Sequence, residues 1–283
     1  MLKYILAAVQ AHAVAEYPRE SCGLLLSVGR KQQYFPCSNT ATDPNEEFRI
    51  SPEDYAAAED AGTVIGVVHS HPDATSRPSP RDLAMCEATE LPWHILSWPE
   101  GDLRTIVPTG NTPLLKRPFL HGAWDCWQVC ADWYKREFGL EFEVFNRTEG
   151  WWESADAESL YESNYGAAGF VRVDQPQRGD MIVMEVGRTK HPNHAGIYLG
   201  ADASLTGEDG AVFGPGPFLL HHLYSRPSEI IVFGGPWLDR TRLILRHRKI
   251  YSGYRPVSTD RRNIHRLSLL SSATACVQSQ GRP

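Results

Sequence analysis

Two groups of side chains in this 283-residue chain have the types and spacing that catalysis needs. The first is His69-Ser70-His71, followed by Ser79 and Asp82, with Glu20 far upstream. Histidines at i and i+2 at a strand end project from one face, so both imidazoles can reach one ion. Ser79-Pro80-Arg81-Asp82 reads as a helix start, with Ser79 as N-cap and Pro80 at the first helical position; Asp82 then lies beside the histidine pair. Two imidazole nitrogens and one carboxylate oxygen form a three-ligand zinc set that leaves a fourth position for water. Such a zinc lowers its water's pKa toward ~7, and a nearby carboxylate must then carry the proton. Glu20 is the candidate. The second group centres on Cys126, which Asp125 would cap at a helix start, where the helix dipole favours thiolate over thiol. A cysteine nucleophile needs a base and a group to orient that base. His194 opens one apolar strand, and the next strand brings His221 and His222.

The positioning elements follow from hydrophobic periodicity. Helical spacing covers Leu2–Glu16 and Pro52–Ala61, and a further helix follows Ser79; strands are expected at Ser21–Val28, Thr63–His69, Trp93–Ser97 and Leu103–Val107. Pro108–Pro118 concentrates turn formers without periodicity and reads as a linker. A helix at about Cys126–Phe138 then precedes strands at Asp180–Glu185, His194–Leu199, Phe218–Leu223 and Ile230–Phe233, the pattern of a small antiparallel sheet. Trp124, Trp127, Trp133, Trp151 and Trp152 fit a core, with a glycan groove as the alternative, and the acidic run Glu149–Glu162 fits a solvated helix face. Periodicity ends near Tyr251.

Composition narrows the class. A hydrophobic content of 42% excludes fibrous and wholly disordered chains. No stretch approaches the ~20 apolar residues of a membrane span, so a soluble protein with no transmembrane segment is expected. The run Tyr4–Val9 is too short for a signal sequence and belongs to the first helix. Six scattered cysteines, without a Cys-x-x-Cys pair, suggest free thiols rather than a disulfide scaffold. The net charge of −6 hides an asymmetry: Arg240–Pro283 carries +9, leaving −15 on the rest. This basic end lacks interleaved aromatics and any nucleic-acid motif, so no specific nucleic acid is expected as a partner.

Glu20 with His69-x-His71-x7-Ser79-x2-Asp82 matches every position of a family pattern and resembles the JAMM (Mov34-type) zinc metallopeptidases over about residues 1–108. The resemblance implies a three-layer, cytidine-deaminase-like α/β domain, with zinc held by His69, His71 and Asp82. It further implies Glu20 as general base and Ser79 as an oxyanion stabiliser. Asp125-Cys126-Trp127, Arg178-Gly179-Asp180 and His194-Ala195-Gly196-Ile197-Tyr198 resemble the NlpC-type cysteine peptidases, papain-like α+β enzymes that cut peptide bonds of bacterial peptidoglycan. Here the resemblance implies Cys126 as nucleophile, His194 as base and a polar residue on the following strand as orienter. His221, directly after Leu219-Leu220, fits that slot best, with His222 as the alternative. Many members carry an oxyanion-binding tyrosine about a dozen residues before the nucleophile. Leu115-Lys116-Arg117-Pro118-Phe119 stands there instead, which leaves the backbone amide of Cys126 as the candidate donor.

The expected organisation is thus a zinc domain at 1–108, a linker at 109–118, a cysteine domain at 119–245 and a basic, disordered tail at 246–283. This pairing resembles a tail-assembly family of lambda-like bacteriophages. That resemblance implies a bifunctional peptide-bond hydrolase made in the host cytoplasm and carried on the phage tail. It would act on peptidoglycan stem peptides in the periplasm, with other tail-tip proteins as partners. A non-enzymatic assembly factor that keeps both folds for binding is the alternative.

Overall fold

A computed structural model describes residues 1–110, 112–142, 150–154, 158–201 and 205–251. The chain divides into two compact units between Thr112 and Pro113.

The first unit is built from α1 (Lys3–Glu16), β1 (Cys22–Val28), β2 (Lys31–Cys37), α2 (Pro52–Ala61), β3 (Thr63–Pro72), α3 (Pro80–Thr89), β4 (Trp93–Trp98) and β5 (Leu103–Ile106). The strands form one sheet in the order β2-β1-β3-β4-β5, antiparallel except for the β3–β4 pair. Each face is covered by helices. Ile5, Val9 and Ala13, four residues apart on α1, pack with Leu25, Tyr34, Val68 and Leu96 on one side. Ala58 of α2 and Cys86 of α3 pack with Cys22, Leu24, Leu26, Val67 and Trp93 on the other. Leu24, Leu25 and Leu26 therefore serve both cores in alternation, as a strand buried on two faces must. This is the expected three-layer arrangement. β2 was not expected, and β3 runs three residues beyond the expected strand end at His69, so His71 also lies on a strand.

The second unit contains α4 (Cys126–Phe138), α5 (Leu160–Asn164), β6 (Phe170–Arg172), β7 (Met181–Met184), β8 (His194–Gly200), the two-residue hairpin strands β9 (Leu205–Thr206) and β10 (Val212–Phe213), β11 (Phe218–His221), β12 (Glu229–Val232), α6 (Pro236–Asp239), β13 (Thr241–His247) and α7 (Arg248–Tyr251). Six strands form an antiparallel sheet in the order β12-β11-β8-β7-β13-β6. Val129, Cys130, Trp133 and Tyr134 of α4 are buried against Ala195, Ile197, Leu199 and Leu220. Trp133 is core, and Trp127 and Trp151 pack partly against it. Leu114 and Leu115, within the expected linker, are buried in this same core.

β13 carries the fold past residue 245. Its Arg246 donates from Nε and Nη2 to the two carboxylate oxygens of Asp180, at 2.8 and 2.7 Å, and both residues are buried. A bidentate, charge-assisted pair of this kind locks the turn before β7. Arg178-Gly179-Asp180 is accordingly a structural motif: Gly179 has φ +92°, and its carbonyl accepts the Tyr134 hydroxyl at 2.8 Å. The tail expected beyond Tyr251 lies outside the described residues.

Candidate functional site

In the first unit, the register of β1 against β3 pairs Cys22 with His69, and Ser70 donates its backbone N–H to the Ser21 carbonyl at 2.9 Å. Continued by one step, this ladder sets Glu20 opposite His71, on the face shared by Cys22 and His69. Glu20 is held there by its backbone: its N–H donates to Pro44 at 2.7 Å, and its carbonyl accepts Asn39 Nδ2 at 3.0 Å. The side chain is only 7% exposed, and burial pushes the carboxyl up to about 8. A carboxyl shifted in this direction is able to exchange a proton near neutral pH.

Asp82 arrives by helix capping. Its backbone N–H donates to Ser79 Oγ at 3.1 Å, and its Oδ2 accepts the Ser79 N–H at 2.7 Å, closing a capping box at the start of α3. The same carboxylate lies 3.1 Å from His69 Nε2 through Oδ1 and 3.4 Å from His71 Nε2 through Oδ2. The two Nε2 atoms are 3.1 Å apart. Burial favours the protonated carboxyl of Asp82, but the hydrogen bonds from both histidines outweigh it and hold the group well below the usual carboxylate range. His71 Nδ1 lies 2.9 Å from the Thr75 carbonyl, which can only accept. Nδ1 therefore carries a proton, and Nε2, which faces Asp82 and His69, donates when the ring is charged and offers a lone pair when it is neutral. His69 stacks on Phe48, with centroids 4.7 Å apart, and meets Trp93 edge-on. Three donor atoms, from His69, His71 and Asp82, lie within 4.8 Å of one another. Two imidazole nitrogens and a carboxylate gathered this tightly fit zinc by donor type and number.

In the second unit, Asp125 Oδ1 accepts the Gln128 N–H at 2.9 Å and Oδ2 accepts that of Gly122 at 3.0 Å, so Cys126 opens α4 as its first residue. Its Sγ lies 3.9 Å from the carbonyl of Asn193, the residue before His194. His194 Nε2 lies 2.9 Å from His221 Nδ1. His222 instead meets Phe119 edge-on, with ring centroids 5.1 Å apart. His191 falls in the loop before β8. The Cys126 Sγ is also 3.6 Å from the hydroxyl of Tyr161 on α5. Tyr161 was missed because it sits inside the acidic run, where nothing in the local pattern separates it from the solvated residues expected there. Cys130 is fully buried, and burial drives its thiol up, which suits packing rather than reaction.

His194, His221 and His222 are buried, and burial favours their neutral forms. Burial, reinforced by His221 and His222, holds His194 well below its ordinary value, and burial brings His221 and His222 each down to about 4. The unfolded chain then binds protons that the folded chain refuses once pH drops below the unfolded value of about 6.5. Stability is full above that pH and is lost as pH falls toward 4. Between pH 7 and pH 5 the expected loss is about 2 kcal/mol for each of His221 and His222. Urea unfolding at the two pH values measures it. An unfolding midpoint that is flat over this window would contradict the buried, neutral assignment.

Residues 2–107 match the prokaryotic homologs of the JAB domain, and residues 116–225 match the NlpC/P60 family. The tail tip assembly protein K of Escherichia phage N15 is 46% identical over 244 residues, covering 86% of this chain and 94% of that one. The protein of the same name from Escherichia phage lambda is 32% identical over 201 residues, covering 70% and 89%. Among solved structures, a JAB1/MPN domain protein from Archaeoglobus fulgidus is 21% identical, with a TM-score of 0.26, over 38% of this chain and 84% of that one. No helix among the described residues is long and apolar enough to cross a membrane. With a JAB domain followed by an NlpC/P60 domain, and near-half identity along almost the whole of a relative, the chain belongs to the tail tip assembly protein K family.

Proposed function

We propose that this is a tail-tip assembly protein whose second unit is a cysteine endopeptidase cutting the stem peptides of peptidoglycan and whose first unit is a zinc metallopeptidase of the isopeptidase kind. The observation that carries the reading is the His194–His221 pair, joined at 2.9 Å, beside a cysteine that opens a helix. Cys126 attacks the scissile carbonyl, His194 takes the thiol proton and later returns it to the leaving amine, and His221 orients His194. The Cys126 N–H at the start of α4 and the Tyr161 hydroxyl, 3.6 Å from Sγ, would donate to the developing oxyanion. In the first unit His69, His71 and Asp82 would hold zinc, which supplies a Lewis acid able to polarise a carbonyl and acidify water. There Glu20 holds and passes the proton, and Ser79, whose oxygen already accepts from Asp82, has its O–H left to donate toward substrate.

Membership of the family supports a place at the tail tip among other tail proteins, with synthesis in the host cytoplasm and action in the periplasm as parts of the same reading. The test is muropeptide release from purified cell walls by the intact protein, with and without a zinc chelator. Release should survive the chelator and depend on Cys126. Release that the chelator abolishes would move wall cleavage to the first unit. An assembly role without chemistry would leave tail yield unchanged in variants of Cys126 and His71, yet sensitive to removal of either unit.

A further inference from the structure

The strand ladder of the second unit places a carboxylate against the far side of the histidine pair. His221 pairs with Gly196 on β8 and with Glu229 on β12. His194, two residues before Gly196, therefore shares its face, and His194, His221 and Glu229 form a row across three strands. His221 uses Nδ1 toward His194, while its Nε2 is fully buried without a hydrogen bond. The Glu229 carboxylate, on a side chain 51% exposed, stands 3.8 Å from that Nε2. This is just beyond hydrogen-bond length and within reach of a rotamer change. Trp237 packs edge-on against the same ring, with centroids 4.9 Å apart.

We propose that Glu229 is a positioning residue: by accepting from His221 Nε2–H it fixes the His221 tautomer in which Nδ1 is an acceptor, and so keeps His194 able to take the Cys126 proton. This rests on the reading of Cys126 and His194 given above. When the Sγ–H proton passes to His194, the resulting imidazolium carries N–H on both nitrogens. Its Nε2–H then needs an acceptor, and only a His221 protonated at Nε2 offers a lone pair at Nδ1. In the other tautomer His221 Nδ1–H donates to His194 Nε2. The single proton of His194 would then sit on Nδ1, the nitrogen left for Cys126, and the ring could not act as base. Glu229, which touches neither nucleophile nor base, selects between these states.

Nitrogen NMR of the imidazole rings in the full chain reads the tautomer without any need for activity. Wild type and Glu229→Gln, whose amide oxygen still accepts, should show His221 protonated at Nε2, whereas Glu229→Ala should move the proton to Nδ1. Muropeptide release should fall roughly tenfold or more in Glu229→Ala, through kcat rather than KM, and recover in Glu229→Gln. A His221 already protonated at Nδ1 in wild type, or unchanged in Glu229→Ala, overturns the proposal. A tautomer shift alongside wall digestion that ignores Cys126→Ala would sink the peptidase reading alone. Because Glu229 is half exposed, thermal unfolding of both variants should match wild type, so a lost signal would not trace to misfolding.

Discussion

Replacing Cys126 with alanine is expected to lower muropeptide release by on the order of 10³-fold or more, since the whole covalent route runs through one sulfur. The fold should hardly register the change. Cys126 is only partly buried, it occupies the first turn of α4, and the cap on that helix comes from the Asp125 side chain, which is untouched. A urea midpoint within about 0.5 kcal/mol of wild type would show that activity and folding have been separated. Adding His194→Ala should cost little more than either change alone, because nucleophile and base act as one unit and their effects do not add. Undiminished cell-wall digestion by Cys126→Ala would refute the assignment outright.

Under the proposed reading the wild-type protein should carry about one zinc per chain, and Asp82→Asn should lose it while sparing the helix. The argument turns on the double use of one carboxylate: it caps α3 by accepting from Ser79, and it faces both histidines. An asparagine carbonyl still accepts the Ser79 N–H, but it carries no charge to hold a divalent ion. Asp82→Ala should lose the metal and about 1 kcal/mol of capping as well. His71→Ala should lose the metal and leave the cap intact. Metal analysis of the purified variants, read beside their apo-state thermal stability, separates the two duties. Absence of zinc from the wild-type protein would show that this donor set has been misread.

How much of this was legible depended on sequence distance. His69, His71, Ser79 and Asp82 lie within fourteen positions of one another, so alternation along a strand and a capping signal were enough to gather them. Glu20 stood out as a carboxylate at the mouth of the Ser21–Val28 strand, but only a pairing across nearly fifty residues sets it opposite His71. Tyr161 is recruited to the cysteine by tertiary packing, so local periodicity could not reveal it. β2 escaped because Lys31, Gln32 and Gln33 are exposed edge residues and Pro36 interrupts the run. β13 was obscured differently: Arg242 and Arg246 made Thr241–His247 read as the opening of a basic tail. Arg246 is in fact neutralised inside the fold by Asp180, 66 residues upstream.

That last strand governs the order in which the two units can be completed as the chain is made. His69, His71 and Asp82 are all present once Asp82 has emerged, and the sheet beneath them is complete at Ile106. The second sheet is different, because β13 lies between β7 and β6 and is made last of the three. Until residue 247 leaves the ribosome, the sheet lacks the strand that joins β6 to β7, and Asp180 is a charge without its partner. The first unit can therefore finish folding early, during synthesis, as domains made first generally do. A ribosome that stops short of residue 247 therefore releases a chain with the His69, His71 and Asp82 cluster built and the second sheet incomplete.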